Sequence, residues 1–398
     1  MDCGSDAPLT CQRAMFSLPD GHCYLNSAYM GPLPVRVQQA GVEALVDRSF
    51  PGNITPVDFF EPAERARKLC AQLVNAKAES VAFVTSVSYG MASIAKNLSV
   101  RRGQNVVLLG DQFPSNVYPW REWRARGVQI RTVDAPDAPW SSARPGESRA
   151  ARWNEAVIQA IDCGTALVSV EQAHWTDGTL FDLAHIGETC RKVGAAFVID
   201  GTQTVGAMPL DLEQIRPDAL VVHSYKAMLC NYGLGFMVLG ERFASGCPLE
   251  QSWLMRQGSE KFSGLVEYED RYVEGMRRFD ASLRANPVLI RMLEAAAALL
   301  LQWRPERIRR YLFSIERGFV VRVREMGFEV ADESERAANL FGLKAPPNFD
   351  IESCLAQLAD RHIHVSLRGS MLRVSPHVYN DETDLERLAQ ALEAVRPR

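Results

Sequence analysis

The sequence predicts an α/β protein, with a large domain built on a mostly parallel, doubly wound sheet and a smaller α+β domain at the C-terminal end. Short apolar runs rich in β-branched residues alternate with helical patterns between residues 64 and 240, which is typical of a parallel sheet. From about residue 308 the pattern changes to a long helix followed by short strands and helices. The 398 residues are enough for one large domain or for two.

The individual elements follow from the periodicity of the apolar residues. Predicted helices span residues 35–49, 62–74, 90–97, 153–161, 288–301, 308–326, 350–360 and 381–395. Predicted strands span 80–84, 105–109, 128–133, 166–170, 195–199, 219–222 and 235–239, and then 328–330, 340–343, 363–367 and 371–375. The proline- and serine-containing stretch 135–149 is expected to be a surface loop.

The composition is that of an ordinary globular enzyme, with 47% hydrophobic and 23% charged residues. A formal net charge of −4 gives no electrostatic reason to expect nucleic acid or an anionic membrane as a partner. The longest apolar run, 295–301, is too short to cross a bilayer, and residues 1–6 lack the apolar segment of a signal peptide. The nine cysteines have neither disulfide nor metal-ligand spacing, which indicates free thiols, no metal site and a cytoplasmic protein.

Two chemically distinctive side chains follow neighbouring apolar strands. Asp200 comes directly after the strand 195–199, and Lys226 lies just beyond the strand 219–222. In open α/β sheets, ligands bind at the carboxyl ends of the strands. Pyridoxal phosphate needs such a pair, a lysine that forms a Schiff base and a carboxylate that keeps the pyridine nitrogen protonated. No GxGxxG motif follows a strand and no glycine-rich Lys-Ser/Thr loop occurs, which argues against dinucleotide and nucleoside-triphosphate sites.

The segments Val198–Gly206 and His223–Lys226 resemble those of the class V branch of the fold-type I pyridoxal-phosphate (PLP) enzymes. This group includes the cysteine desulfurases, kynureninase and isopenicillin N epimerase. The resemblance implies the fold of a fold-type I PLP-dependent transferase, pyridoxal 5'-phosphate as cofactor, and a homodimer with its active sites at the interface. It also implies an N-terminal segment 1–35 that joins the small domain and the active-site mouth, a large PLP-binding domain 36–290 and a small C-terminal domain 291–398.

The resemblance assigns cofactor contacts to several strand ends and turns. Lys226 is expected to form the Schiff base, Asp200 to face the pyridine nitrogen and Gln203 to donate to the phenolic oxygen. Ser88 and Val87, where a strand turns into a helix, are expected at the cofactor phosphate. An ordinary helix N-cap explains the same serine motif equally well.

Further cofactor contacts are aromatic or come from a second subunit. Phe113 matches the position of a ring that stacks on the pyridine, and a core phenylalanine is the alternative. The resemblance favours Tyr225 over His223 as a phosphate contact, and both remain candidates. Trp253, Ser282 or Asn286 is expected to help bind the cofactor phosphate of the neighbouring subunit.

Arg373 lies in a segment, Leu372–Asn380, that is similar to the class V segment whose arginine binds the α-carboxylate of the substrate. A guanidinium group presents a planar fork that suits bidentate binding of a carboxylate. Arg368 is the competing candidate for this role. A surface salt bridge is the alternative for either arginine.

Two further regions are expected at the mouth of the site. Asn26 and Ala28 belong to an N-terminal segment that crosses the active-site mouth in class V relatives, and a plain turn is the alternative. Trp175 lies in the loop 171–179, which in these relatives covers the cofactor and the substrate. His174, in the same loop, is a candidate proton shuttle because its pKa lies near neutrality, and a structural role is the alternative.

The resemblance implies an enzyme that acts on an amino acid through an external aldimine and a Cα carbanion, with Lys226 moving the Cα proton. Cys354, expected inside a helix, argues against a cysteine desulfurase, and Gln203 stands where kynureninase usually carries histidine. Transamination, epimerisation and β- or γ-elimination, including C–S bond cleavage, remain open, and an aminotransferase is preferred. A non-catalytic relative is the alternative from another class, but it would have lost Asp200 or Lys226.

Overall fold

The computed structural model of the protein describes residues 7–395. The expectation that no signal peptide is present rests on residues 1–6 and therefore lies outside the described residues. The helices are α1 Val35–Asp47, α2 Glu61–Leu73, α3 Val87–Asn97, α4 Tyr118–Arg121, α5 Arg149–Gln159, α6 Leu183–Val193, α7 Leu212–Ile215, α8 Pro287–Trp303, α9 Pro305–Glu325, α10 Ile351–Asp360 and α11 Glu382–Val395. The strands are β1 Cys23–Tyr24, β2 Val81–Val84, β3 Asn105–Leu109, β4 Gln129–Val133, β5 Thr165–Glu171, β6 Ala196–Asp200, β7 Ala219–His223, β8 Gly235–Leu239, β9 Phe341–Lys344, β10 Ile363–His364, β11 Ser366–Arg368 and β12 Met371–Val374.

Seven strands form one twisted layer in the order β2, β8, β7, β6, β5, β3, β4. Strand β8 is antiparallel to its neighbours β2 and β7, and the other pairs are parallel. Alternate residues of β6 pack into two different apolar clusters, Phe197 and Ile199 into one and Ala196 and Val198 into the other. Because both faces of the sheet are covered, the central strands are continuous apolar runs. The predicted α/β fold with a mostly parallel, doubly wound sheet is confirmed.

The order of the sheet reverses between β3 and β5. From β3 the chain continues to β4 at one edge of the sheet, whereas from β5 it continues to β6 towards the other edge. The loops that leave the carboxyl ends of these two strands therefore diverge, and ligands of open α/β sheets bind in the crevice between such loops.

The C-terminal part contains a three-stranded antiparallel sheet in the order β11, β12, β9, together with α9, α10 and α11. The predicted strand at 328–330 is wrong, because Glu329 forms an isolated bridge to Lys344 and the chain then turns away. The predicted strand 363–367 is divided into β10 and β11, and β10 pairs in parallel with β1. Helix α6 and the short helices α4 and α7 were not predicted.

The N-terminal segment lies between the C-terminal part and the loop that follows β7. Asn26 forms a bridge to Ser375, and the N–H of Gly31 donates to the carbonyl of Tyr225 at 2.8 Å. A Cβ at Gly31 would lie 2.4 Å from the carbonyl oxygen of Lys226, so no larger residue fits there. Helix α8 packs against α1 and α2. The division of the chain at residues 35 and 290 stays a prediction.

None of the helices within residues 7–395 combines the length and the apolar composition needed to cross a membrane.

His377 connects the C-terminal part to the residue that follows Lys226. Its ring is fully buried, its Nε2 lies 3.0 Å from the carbonyl oxygen of Ala227, and the N–H of Val378 donates to its Nδ1 at 2.9 Å. A carbonyl accepts and an N–H donates, so the ring carries its proton on Nε2 and is neutral. Burial lowers the pKa of His377 to about 4, against the small opposing effect of the Ala227 carbonyl.

We expect acid to destabilise the protein through His377. Its pKa is lower in the folded than in the unfolded protein, so the folded state loses stability as the pH falls from about 6.5 to about 4. The loss attributable to this side chain is roughly 3 kcal/mol at pH 4. Denaturant unfolding of the wild type, His377→Gln and His185→Gln at pH 7 and pH 4 measures it. His185 is exposed and serves as the control. An identical pH dependence in all three proteins contradicts the prediction.

Candidate active site

A cavity opens at the carboxyl ends of β5, β6 and β7 and at the N-terminus of α3. The residues around it come from the strand ends and from the turns that follow them. They are Ser86, Val87, Ser88, Phe113, Ser115, Glu171, Trp175, Asp200, Thr202, Gln203, His223, Tyr225, Lys226 and Tyr232. The structure therefore brings the predicted acid and the predicted lysine to one cavity, at the place where the sheet topology predicts a ligand.

Lys226 is the principal basic group of this cavity. Its side chain is only 5% exposed, and its Nζ lies 4.9 Å from the centroid of the Phe113 ring. Within residues 7–395 the Nζ has no hydrogen bond or ion pair. Burial, followed by the positive charge of Arg373, lowers the pKa of Lys226 to about 8, although Asp200 and Glu171 oppose the shift. Roughly a tenth of the amine is therefore uncharged at pH 7, and this fraction can act as a nucleophile or a base.

Two carboxyl groups lie side by side at the ends of β5 and β6, where Glu171 pairs in register with Asp200. The carboxyl of Asp200 accepts the N–H of Thr202 at 3.0 Å, and burial raises its pKa. The two oxygens of Glu171 accept the N–H groups of Phe113 at 3.0 Å and of Trp175 at 2.7 Å. Burial, and after it the charge of Asp200, raises the pKa of Glu171 to about 8.

Glu171 was not predicted as a site residue from the sequence. It ends an apolar strand just as Asp200 does, so the same rule would have found it. Because its oxygens hold the backbone of the loops after β3 and β5, it also fixes the position of Phe113 and Trp175. The two neighbouring acids cannot both be ionised at low cost, and Glu171 is the one whose proton is retained near neutral pH.

Three serine hydroxyls gather at the first turn of α3. Ser86 caps this helix by accepting the N–H of Tyr89 at 3.0 Å, and Ser88 donates its hydroxyl to that of Ser115 at 2.9 Å. Free N–H groups and hydroxyls at the start of a helix attract an anion. Of this group the sequence predicted Ser88 and Val87, and it missed Ser86 and Ser115.

Aromatic rings form two walls of the cavity. Phe113 and Trp175 make an edge-to-face contact, with their centroids 5.5 Å apart. On the other side His223, Tyr225 and Tyr232 form a second cluster, with centroids between 4.6 and 5.0 Å apart. Neither ring nitrogen of His223 has a hydrogen-bond partner within residues 7–395, and burial lowers its pKa to about 4. Tyr232 was not predicted as a site residue.

Arg373 reaches the same region from β12. Its side chain is buried, and its Nη1 donates to the carbonyl of Trp175 at 2.9 Å. Its Nε and Nη2 atoms have no partner among residues 7–395. Burial, and after it the charge of Arg368, lowers the pKa of Arg373 to about 9. A buried guanidinium with two unpaired nitrogens indicates an anionic ligand, since leaving such donors unsatisfied is costly.

The N-terminal segment contacts one residue of the cavity wall and one residue of the C-terminal part. The carbonyl of Ala28 accepts the Nε2 of Gln203 at 3.4 Å, and the side-chain oxygen of Asn26 accepts the hydroxyl of Ser366 at 2.7 Å. The Oε1 of Gln203 has no partner within residues 7–395. Ala28 therefore contacts Gln203, which is part of the cavity wall, whereas Asn26 is bonded to Ser366 of the C-terminal part.

Besides Arg373, Asn26 and Ala28, three further predicted site residues are not among those that line the cavity. His174 is buried, its Nε2 donates to the carbonyl of Gly110 at 3.0 Å and its Nδ1 lies 2.7 Å from the hydroxyl of Thr176. Both ring nitrogens are thus used, and the expected proton shuttle is corrected to a structural histidine. Trp253 packs against Phe59, Phe60 and Phe262, and Asn286 caps α8. Their contact with a neighbouring subunit stays a prediction.

Residues 55–388 match the family model described as aminotransferase class-V. The chain belongs to this family. Membership confirms the resemblance seen in the sequence and, with it, pyridoxal 5'-phosphate as the cofactor.

The names of the relatives of this class-V protein state different reactions. It is 25% identical to isopenicillin N epimerase of Streptomyces clavuligerus over 388 residues, which cover 93% of this chain and 94% of that protein. It is 29% identical to a probable cysteine desulfurase of Methanothermobacter thermautotrophicus over 220 residues, 54% of this chain and 52% of that protein. The apo structure of cysteine desulfurase from Thermococcus onnurineus superposes with a TM-score of 0.81 at 19% identity, covering 98% of this chain and 99% of that one. The last comparison shows the fold alone.

The residues of the class-V cavity fit the cofactor. The hydroxyls at the start of α3 suit a phosphate, the buried carboxyl of Asp200 suits a protonated ring nitrogen, and Lys226 offers an unpaired amine between them. The unpaired Oε1 of Gln203 and the ring nitrogens of His223 are further buried polar atoms that lack a partner within residues 7–395.

Proposed function

We propose that this class-V enzyme is an aminotransferase, which removes the Cα proton of an amino acid with Lys226 as its base. The observation that carries the proposal is the state of Lys226. Its amine is buried and unpaired within residues 7–395, and its pKa is lowered to about 8. The same cavity contains a buried acid, and an arginine with two unpaired nitrogens lies next to its wall at Trp175. These are the groups needed to hold an amino acid and to move a proton at its Cα.

Different residues of the chain would hold the different parts of the cofactor. The hydroxyls of Ser86, Ser88 and Ser115 and the N–H groups of α3 would hold the phosphate, and Asp200 would hold the ring nitrogen. Phe113 lies against the amine of Lys226 and would keep the ring at a fixed tilt. When bound, pyridoxal phosphate supplies an electron sink that makes the Cα proton of the substrate acidic.

The substrate is oriented by Arg373. Its two unpaired nitrogens would bind the α-carboxylate in a bidentate manner, which leaves the side chain of the substrate towards the mouth of the cavity. The indole of Trp175 and the phenol of Tyr225 would then exclude water from the amine of Lys226. A fixed carboxylate restricts the Cα–H bond to a few orientations relative to Nζ, and this positioning accelerates proton transfer.

The distribution of basic groups favours transamination over epimerisation. Transamination needs one base, which takes a proton from one carbon and returns it at another on the same side. Epimerisation by two bases needs a second proton carrier, and the histidine among the residues around the cavity, His223, is a weak base with its pKa near 4. Cys354 is buried in α10, so its thiol is not accessible to accept sulfur from a substrate, which disfavours a desulfurase that uses this cysteine.

A panel of amino acids tests the proposal. The purified protein is loaded with pyridoxal phosphate, mixed with each amino acid and analysed for the form of the cofactor and for products. Stoichiometric conversion to pyridoxamine phosphate with a 2-oxo acid supports an aminotransferase. Pyruvate, ammonia or sulfide shows a lyase, and deuterium uptake at Cα without net product shows an epimerase. A protein that takes up no cofactor overturns the proposal.

We also infer that two copies of the chain associate through the loop that contains Trp253. This loop exposes Leu265, Val266 and Tyr268, and the last two are 81% and 96% exposed. Trp253 and Phe262 form one aromatic cluster with Phe59 next to them. Exposed apolar patches of this kind are typical of protein interfaces. The predicted cytoplasmic location stays a prediction.

The homodimer is expected to dissociate when this loop is charged. Replacing Val266 and Tyr268 by aspartate places two carboxylates in the proposed interface, where their desolvation opposes association. Light scattering at several protein concentrations is expected to give a dimer for the wild type and a monomer for the double variant. Val321→Asp, an exposed site on α9, is the control and is expected to remain dimeric. A monomeric wild type contradicts the inference.

A further inference from the structure

Two guanidinium groups lie on the same face of the hairpin formed by β11 and β12. In its register Ser366 is opposite Arg373, and Arg368 is opposite Met371. Residues directly opposite each other in an antiparallel pair share a face, and so do residues two positions apart on one strand. Arg368 and Arg373 are therefore diagonal neighbours. Their guanidinium carbons lie 5.7 and 5.9 Å from the centroid of the Trp175 indole, which is part of the cavity wall.

Neither arginine is neutralised by the part of the chain that the structure describes. No carboxylate of residues 7–395 lies within 4.0 Å of Arg368 or Arg373. The two acids of the cavity are occupied elsewhere, since Glu171 accepts two backbone N–H groups and Asp200 is expected to hold the cofactor. The positive charge of Arg368 is close enough to lower the pKa of both Arg373 and Lys226. This end of the cavity therefore has an excess of positive charge.

The position of Arg368 is fixed rather than free. The hairpin closes through Gly369 and Ser370, and Gly369 has a φ of 57°, which matches a two-residue turn with glycine first. The Nη1 of Arg368 donates to the carbonyl of Leu367 at 2.7 Å, and its guanidinium leans over the indole of Trp175. A solvated surface arginine would extend into water, whereas this one is only partly exposed and is directed towards Trp175.

One α-carboxylate can neutralise one of these two groups. The more deeply buried Arg373 has the unpaired nitrogens for that carboxylate, and Arg368 lies further out, towards the turn of the hairpin. A second anionic group on the side chain of the substrate would reach Arg368. An uncharged side chain would leave two like charges close together without a partner, which is unfavourable.

We propose that Arg368 is a specificity-determining residue that binds a second anionic group, so that the enzyme selects amino acids with an acidic side chain. This inference rests on the proposed function, because it assumes that Arg373 holds the α-carboxylate. The chemical class of the substrate is thus an amino acid with two carboxylates, or with a carboxylate and another anion, and not a neutral amino acid.

Binding of unreactive acids to the PLP-loaded protein tests the inference without turnover. Malonate, succinate and glutarate are compared with acetate, propionate and butyrate by calorimetry, using the wild type, Arg368→Gln and Arg361→Gln. Arg361 is an exposed arginine of the same part of the chain and is the control. The wild type and Arg361→Gln are expected to bind the best diacid at least about 10-fold more tightly than its monoacid. Arg368→Gln is expected to lose this preference, and Arg368→Lys to keep part of it. An equal loss of affinity for both kinds of acid in Arg368→Gln, or no preference in the wild type, overturns the inference.

Paired substrates separate a failure of this inference from a failure of the proposed function. Aspartate is compared with asparagine, and glutamate with glutamine, by their kcat/KM values. If the protein takes up the cofactor and processes the amides as well as the acids, the inference about Arg368 is wrong and the proposed function stands. If it takes up no cofactor, the proposed function itself is wrong.

Discussion

Replacing Lys226 by alanine is expected to lower the turnover of every amino acid that the protein processes by at least about 10³-fold. The amine of Lys226 is both the attachment point expected for the cofactor and the principal base of the cavity. Arg373 is expected to be paired with the α-carboxylate of the substrate, and His223 is too weak a base because its pKa is near 4. The measurement is kcat for the loaded variant with the best substrate of the wild type.

Two controls show whether this loss comes from the amine itself. Lys192→Ala, an exposed lysine paired with Glu188 at 2.8 Å, is expected to keep full activity. A small primary amine added to Lys226→Ala is expected to restore part of the rate, because it supplies the missing base. If Lys226→Ala keeps full activity and the visible absorption of the bound cofactor is unchanged, then Lys226 is not part of the active site.

The pH dependence of cofactor uptake follows from the same side chain. The amine attacks the cofactor aldehyde only when it is uncharged, and burial lowers its pKa to about 8. Below this value the protonated fraction grows, so the rate of covalent attachment should fall about 10-fold for each unit of pH. Above about pH 8 the rate should level off. A rate that still rises steeply from pH 9 to pH 10 would mean that the pKa is not lowered.

The sequence predicted the sheet, the acid and the lysine of the site, and most of the residues around the cavity. Asp200 and Lys226 could be found because charged residues are rare at the ends of buried apolar strands, and the topology brings strand ends together. The antiparallel direction of β8 could also have been predicted from the sequence. The connection 224–234 is too short for the crossover that a parallel strand requires. Helix α6 shows another signal that could have been used, since Asp182 caps it and Leu183, Ile186 and Cys190 form its buried stripe.

The sequence could not predict what depends on contacts between distant segments. Whether His174 faces the cavity is decided by the carbonyl of Gly110, which comes from the end of another strand. The role of Glu171 depends on the backbone of Phe113, and that of Arg368 depends on the indole of Trp175. A ring or a guanidinium can point in several directions from the same strand, and only its partners fix one of them.

Asp200→Asn and Glu171→Gln are expected to have very different effects, although the two acids are neighbours on paired strands. The amide introduced by Asp200→Asn cannot provide the negative charge that holds the ring nitrogen protonated, so kcat is expected to fall about 10²- to 10³-fold. Glu171 retains its proton near neutral pH because its pKa is about 8, so its replacement by a neutral amide changes little charge. We expect Glu171→Gln to keep most of kcat.

Glu171→Gln should instead lower the stability of the folded protein. The two oxygens of Glu171 accept the N–H groups of Phe113 and Trp175, and glutamine offers one oxygen and one NH₂ group in their place. One backbone N–H then faces another donor, which should lower the free energy of unfolding by about 1–3 kcal/mol. Comparing kcat and denaturant unfolding for the two variants separates the roles. If Glu171→Gln loses the activity and Asp200→Asn keeps it, then Glu171 is the acid that holds the cofactor, and the assignment of the two carboxyl groups must be reversed.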